Sequence, residues 1–217
     1  GNQKAQDITI NIPEIGIKKI VSTDASGKAL FTIPVTKIDY WTPENPKLYN
    51  VEIASAVDKI TDRIGFRTIE TKGQDILLNG KSVFLRDILL HNENPLIPGR
   101  LRGQGDMRMM LQWAKELNCN YVRLAHYPHS EEMVRLADEM GLMVWAEVPV
   151  YWTISWENPA TFANAQQQLS DLVIRDKNRS SVIIWSVGNE TPLSNPRNLF
   201  MGKLVTTARS LDDTRLV

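Results

Sequence analysis

The chain has 217 residues, room for one large domain or a domain and a half, and its 42% hydrophobic and 23% charged content is ordinary for a globular protein. Its 25 Lys and Arg balance 25 Asp and Glu, so no global field draws it towards nucleic acid or an anionic membrane. The single cysteine, Cys119, excludes an internal disulfide and a zinc-type cysteine cluster, and no apolar run approaches the length of a membrane span.

Residues 1–70 read as β structure. Ile8 and Ile10 alternate with Thr9 and Asn11, as in a half-buried strand. A turn cluster at 22–27 precedes two further predicted strands, Ala29–Thr36 and Leu48–Ala54, separated by the proline-punctuated turn TPENP at 42–46. An extended segment begins at Asp58 and reaches Arg67. The opening GNQKAQD is polar and lacks a signal peptide's apolar stretch; a periplasmic, secreted or cytoplasmic location all stay open.

After residue 76 the pattern changes. Ile76 to Lys81 reads as a small hairpin turning at Asn79-Gly80. Val83 to His91 is an apolar run that ends on a histidine. Met107 to Asn118 carries a helical stripe of Met109, Met110, Trp113, Ala114 and Leu117. Tyr121 to His126 is a strand, again ending on a histidine. Ser130 fits a helix N-cap followed by Glu131 and Glu132, and Gly141 fits the C′ position of the same helix. Leu142 to Glu147 is a strand ending on a glutamate. Pro159 to about Arg179 is a long helix. Val182-Ile183-Ile184-Trp185 is a continuous apolar run, suited to a strand buried on both faces, and Gly188, Asn189 and Glu190 follow it. A helix from Asn195 or Pro196 to near Leu211 comes next, and Thr214–Val217 looks like the start of one more strand.

Strand–helix alternation implies a parallel sheet with right-handed crossovers. A dinucleotide fold needs a glycine-rich turn after its first strand. HisAsnGluAsnPro at 91–95 does not supply one, so an α/β barrel is the expected fold. In a barrel the carboxyl ends of the strands gather at one mouth. His91, His126, Glu147 and Glu190 all stand at such ends, which makes them candidate acids, bases or ligands. Each also has a plain structural use: a strand cap for His91, a core histidine for His126, an ion-pair partner for Glu147, a surface group for Glu190. Arg123 lies within its strand and, if buried, needs Glu147 or Glu190 as a partner. Trp185 and Trp152 are candidate indole platforms for a sugar face, with a core role as the alternative. Metal hydrolase chemistry is the rival use of such a mouth, yet the three histidines, His91, His126 and His129, lack a His-x-His pair. No metal or cofactor is expected.

The stretches YWTPENPKLYNVEI (40–53), IGFRTIE (64–70), ILLNGKSVFLRD (76–87), NYVRLAHYPHS (120–130), GLMVWAEVPV (141–150) and RDKNRSSVIIWSVGNET (175–191) resemble glycoside hydrolase family 2, the β-galactosidases, β-glucuronidases and β-mannosidases. The resemblance implies a partial immunoglobulin-like β-sandwich over 1–70 and the N-terminal half of a (β/α)8 barrel over 71–217. It implies a terminal β-linked sugar as substrate and Glu190 as the general acid/base. It also implies Asn189 on the sugar's 2-hydroxyl, and His91, Arg123, His126 and Glu147 in pocket or supporting positions. The family's nucleophile follows the seventh barrel strand, so the expectation is a piece that carries the acid/base and lacks the nucleophile. A non-catalytic carbohydrate-binding or structural fragment is the alternative. Open barrel edges predict association into a homo-oligomer. One departure stands out: where the family's first strand ends Gly-Val-Asn-x-His-Glu, this chain reads Asp87-Ile88-Leu89-Leu90-His91-Asn92.

Overall fold

The alternating isoleucines near the N-terminus build the first of three sheets in the computed structural model, which describes residues 5–217. Strands β1 (Asp7–Ile12), β2 (Ile17–Ser22), β3 (Tyr49–Ala54) and β4 (Lys59–Ile64) form an antiparallel sheet in the order β2-β1-β3-β4. Ile10 and Ile12 of β1 are buried while Asp7 faces solvent, as the alternation requires. The predicted strand at Ala29–Thr36 does not form. Pro34 interrupts that run and brings no N–H to a ladder, and Leu30 is fully exposed. The strand beside β1 is instead β2, whose two lysines and exposed Ile20 hid its period.

Strands β5 (Ile69–Lys72), β6 (Asp75–Leu78) and β7 (Lys81–Ser82) form a small antiparallel sheet. Asn79 and Gly80 join β6 to β7 with φ of 52° and 76°, the left-handed pair that an Asn-Gly hairpin turn needs. Asn79 also accepts from the Thr68 N–H and donates to the Trp41 carbonyl, so the turn residue locks this sheet to the sandwich.

The remainder alternates β8 (Asp87–Leu90), α1 (Gln104–Glu116), β9 (Tyr121–Leu124), α2 (Glu131–Met140), β10 (Met143–Glu147), α3 (Pro159–Asp176), β11 (Val182–Ser186) and α4 (Asn195–Leu211). The strands are parallel in the order β8-β9-β10-β11, and Leu216 begins a fifth strand by bridging to Ile184. This is the first half of a (β/α)8 barrel preceded by part of a β-sandwich. Ser130 accepts from the Met133 N–H as the N-cap of α2, and Gly141 closes that helix at φ 70°.

Alternation sorts the strand side chains into two layers. Leu90, Val122, Leu124, Val144, Ala146, Val182 and Trp185 pack under the helices. On the other face Tyr121 and Met143, each the first residue of its strand, pack with Trp41, Leu48 and Leu78 from the sandwich side. The sandwich thus seals the amino ends of the barrel strands and leaves the carboxyl ends clear.

Charged groups frame that seal. Asp62 of β4 takes hydrogen bonds from Arg135 of α2 and from the buried Arg179. Arg67 donates to the carbonyls of Ser180 (3.2 Å), Thr214 (2.9 Å) and Val182 (2.5 Å). The Trp41 indole donates to the Asp138 carbonyl at 2.8 Å, and burial pushes the Asp138 carboxyl up to about 6. Gly141 sits against the TPENP turn, where a Cβ would collide with the Pro43 carbonyl oxygen. Gly141→Ala is therefore expected to lower stability by about 2 kcal/mol, from left-handed strain plus displacement of the turn. Urea denaturation of the purified chain checks this; a midpoint equal to wild type would contradict the tight joint.

Candidate active site

The mouth is built from residues on the lumen-facing side of the strands. Arg123 of β9 and Trp145 of β10 are in register, and Glu147 of β10 pairs with Ser186 of β11. Trp145 and Glu147 share one face because they stand two residues apart on β10, and register sets Arg123 and Ser186 beside them on that face.

Glu147 is the hub. It is 0% exposed, and its Oε2 accepts from Arg123 Nε (3.1 Å) and Nη2 (2.7 Å), Trp145 Nε1 (2.9 Å) and Ser186 Oγ (2.9 Å). Its Oε1 lies 2.7 Å from His126 Nδ1. Both oxygens of this buried carboxyl group thus have polar partners, as burial requires. Arg123 lies over the Trp145 ring at 5.0 Å, and its Nη2 also donates to Asn189 Oδ1 at 2.6 Å. Glu147 therefore fixes Arg123, and Arg123 fixes Asn189. With Oδ1 engaged, the Asn189 Nδ2 group is the end left to meet a ligand.

His126 stands edge-on to His91, with ring centroids 5.3 Å apart, and 6.2 Å from the Tyr151 ring. His91 thus joins the group through ring contact. His129 belongs to the core instead: its Nε2 lies 3.1 Å from the Ala125 carbonyl oxygen, and burial pushes it down to about 4, which keeps it neutral. Among the described residues no group of three His, Cys, Asp or Glu side chains is arranged to hold a metal ion.

Glu190 differs from Glu147 in every respect. It is exposed, its backbone is left-handed at φ 47°, and its Oε2 accepts one hydrogen bond, from Trp152 Nε1 at 3.0 Å. Its loop is not loose. Asn189 N–H donates to the Val150 carbonyl at 2.9 Å, Trp152 N–H donates to the Asn189 carbonyl at 3.2 Å, and Tyr151 bridges Asn189 in parallel register. The segments after β10 and β11 continue their pairing beyond the strands and carry Glu190 and Trp152 on it.

Trp185 is placed elsewhere, which corrects the expectation of a sugar contact. It is 0% exposed, and its indole donates to Asp212 at 2.9 Å. The reason is register. An irregularity between Val144 and Trp145 sets Trp145 opposite Ile184 and Ala146 opposite Trp185, so Trp185 joins the layer beneath the helices. Ser186 and Trp145 went unrecognised as partners of Glu147. The signal was available, since Trp145 stands two residues before Glu147 on the same strand face.

Comparison with known proteins gives the family. The profile "Glycosyl hydrolases family 2, TIM barrel domain" matches residues 69–217, and "Glycosyl hydrolases family 2" matches residues 2–67. A β-galactosidase of Arthrobacter sp. (strain B7) is 30% identical over 193 residues, covering 85% of this chain and 19% of its own. A β-glucuronidase of Paenibacillus borealis is 31% identical over 209 residues, covering 85% of this chain and 34% of its own. The crystal structure of a GH2 β-galacturonidase from Eisenbergiella tayi bound to galacturonate superposes with a TM-score of 0.85 at 26% identity, over 97% of this chain and 39% of that one. The chain thus spans about a fifth to a third of the curated relatives it matches. With a profile of the catalytic barrel covering more than half of its length, this chain belongs to glycosyl hydrolase family 2.

Proposed function

We propose that this mouth is the acid/base half of a retaining β-glycosidase site, acting on a terminal β-linked galactose or hexuronic acid. The reading divides the chain into a partial sandwich over 1–70 and a half-barrel over 71–217. The observation that carries it is the contrast between two carboxylates at one mouth. Glu147 has both oxygens engaged and no exposed surface, so it positions other groups. Glu190 stands clear on a held loop with one hydrogen bond, open to a ligand.

In the proposed cycle Glu190 gives its proton to the glycosidic oxygen as the bond from that oxygen to C1 breaks, and a second carboxylate attacks C1. In the return step ionised Glu190 takes a proton from water, whose oxygen attacks C1 and releases that second carboxylate. Retention needs the two carboxyl groups about 5 Å apart. Glu147, 0% exposed, presents no oxygen to an incoming C1, so in this reading the nucleophile is another carboxylate, on the open side of the sheet. Asn189, with its Oδ1 held by Arg123, turns its amide N–H groups to the sugar's 2-hydroxyl.

Product analysis tests the role of Glu190. An active full-length enzyme carrying Glu190→Ala, given an aryl β-glycoside and sodium azide, is expected to release the β-glycosyl azide. Absence of any azide adduct, or an α-configured one, rejects the assignment.

A further inference from the structure

We infer that Trp152 is the residue through which this site reads the leaving group: its indole N–H positions Glu190, and its open face receives the aglycone. The inference rests on the assignment of Glu190 as acid/base.

Three observations converge on it. The Trp152 Nε1 proton is directed at Glu190 Oε2 at 3.0 Å, and no other hydrogen bond to that carboxylate is present among the described residues. The indole is 65% exposed, and the neighbouring Tyr151 is 47% exposed. Trp152 is the most exposed of the tryptophans, with Trp113 next at 37%. Trp152 also holds a left-handed backbone, with φ 57°, as Glu190 does with φ 47°. For non-glycine residues this conformation is unfavourable and needs support. The support is mutual, because Trp152 N–H donates to the Asn189 carbonyl and Asn189 N–H donates to the Val150 carbonyl. The fold therefore holds these two side chains in a fixed relation across 38 residues of sequence.

Chemistry gives that relation its consequence. The proton of a retaining acid goes to the glycosidic oxygen, which leaves with the aglycone. Whatever touches the carboxyl from the side thus stands next to the first atoms of the leaving group. An indole there offers an apolar face to an aryl or sugar ring, while its N–H fixes one carboxyl oxygen and leaves the other to the glycosidic oxygen. Aglycone preference thus belongs to the segment after β10, which carries Trp152.

Three substrates with one glycone separate these roles: the β-glycosyl fluoride, the 4-nitrophenyl β-glycoside and the methyl β-glycoside. Fluoride leaves without protonation and has no aglycone ring, so its kcat/KM reports a folded site independently of Trp152. In full-length enzyme, Trp152→Phe keeps a ring and removes the N–H. It is expected to lower kcat/KM about tenfold on the methyl glycoside, through kcat, and to change the fluoride by no more than about threefold. Trp152→Ala removes the face as well and is expected to raise KM for the 4-nitrophenyl glycoside about fivefold. Trp152→His, which retains an N–H donor, is expected to recover part of the methyl-glycoside loss. Equal losses on all three substrates, or values within twofold of wild type throughout, overturn the inference. Glu190→Ala assayed on the same panel keeps the two questions apart. If Glu190→Ala shows leaving-group dependence and the Trp152 variants do not, the role of Trp152 fails alone. If Glu190→Ala shows none, the acid/base assignment itself fails.

Discussion

Glu190→Ala in a full-length enzyme is expected to slow cleavage of a methyl β-glycoside by about 10³-fold, in line with the contribution of a positioned general acid. On the corresponding 4-nitrophenyl glycoside the bond-breaking step is expected to slow by about tenfold or less, because that leaving group departs with little help from a proton. The difference follows from where Glu190 stands. It is exposed on the loop that follows β11, takes part in no salt bridge among the described residues, and accepts one hydrogen bond, from Trp152. Removing it deletes a proton donor and leaves the network around Glu147 in place. Measuring kcat/KM across a series of leaving groups reads this as a steeper dependence on leaving-group acidity in the variant. Parallel lines for variant and wild type would show that Glu190 has no part in proton transfer.

Glu147→Ala is expected to produce the largest loss of stability at the mouth, about 3–5 kcal/mol, read from urea denaturation. Glu147 accepts from Arg123, His126, Trp145 and Ser186 at once. Truncation leaves the Arg123 guanidinium, 22% exposed, without its carboxylate, and leaves the Trp145 indole N–H unpaired. Arg123 also holds Asn189, so the damage spreads to the residue beside Glu190. In full-length enzyme kcat/KM is expected to fall by about 100-fold or more for all leaving groups alike, since a misplaced site hurts every substrate. That pattern separates Glu147 from Glu190: uniform loss with lost stability for the hub, graded loss with retained stability for the acid. Wild-type stability in Glu147→Ala would contradict the reading of a charge held in place by its donors.

Much of this architecture was legible before any coordinates. Ser130 and Gly141 mark the ends of α2 because capping is local: a side chain or a left-handed glycine a few residues away satisfies the helix terminus. Asn79-Gly80 marked its turn for the same reason. Strand–helix alternation carried the parallel sheet, and the polar residues after apolar runs marked the mouth. The errors have a common origin. Ala29–Thr36 has strand-like residues, but a strand needs a partner, and β2 occupies the position beside β1. Trp185 and Ser186 alternate as any strand does, but which of them faces the lumen depends on register against β10.

Local pattern carried the strand–helix alternation of the half-barrel, the caps of α2, the Asn79-Gly80 turn and the family, though it ran β8 and β9 on to His91 and His126, past their ends at Leu90 and Leu124. Those are properties of neighbouring residues and of period, written within a few turns of chain. Tertiary pairing set the hydrogen bonds that fill Glu147, the exposure of Glu190, the place of Trp185 under the helices and the Trp152–Glu190 contact. Each of these depends on pairing between segments 24 to 39 residues apart. A one-residue change of register at such a pairing exchanges lumen for core, and no local pattern records which register is taken.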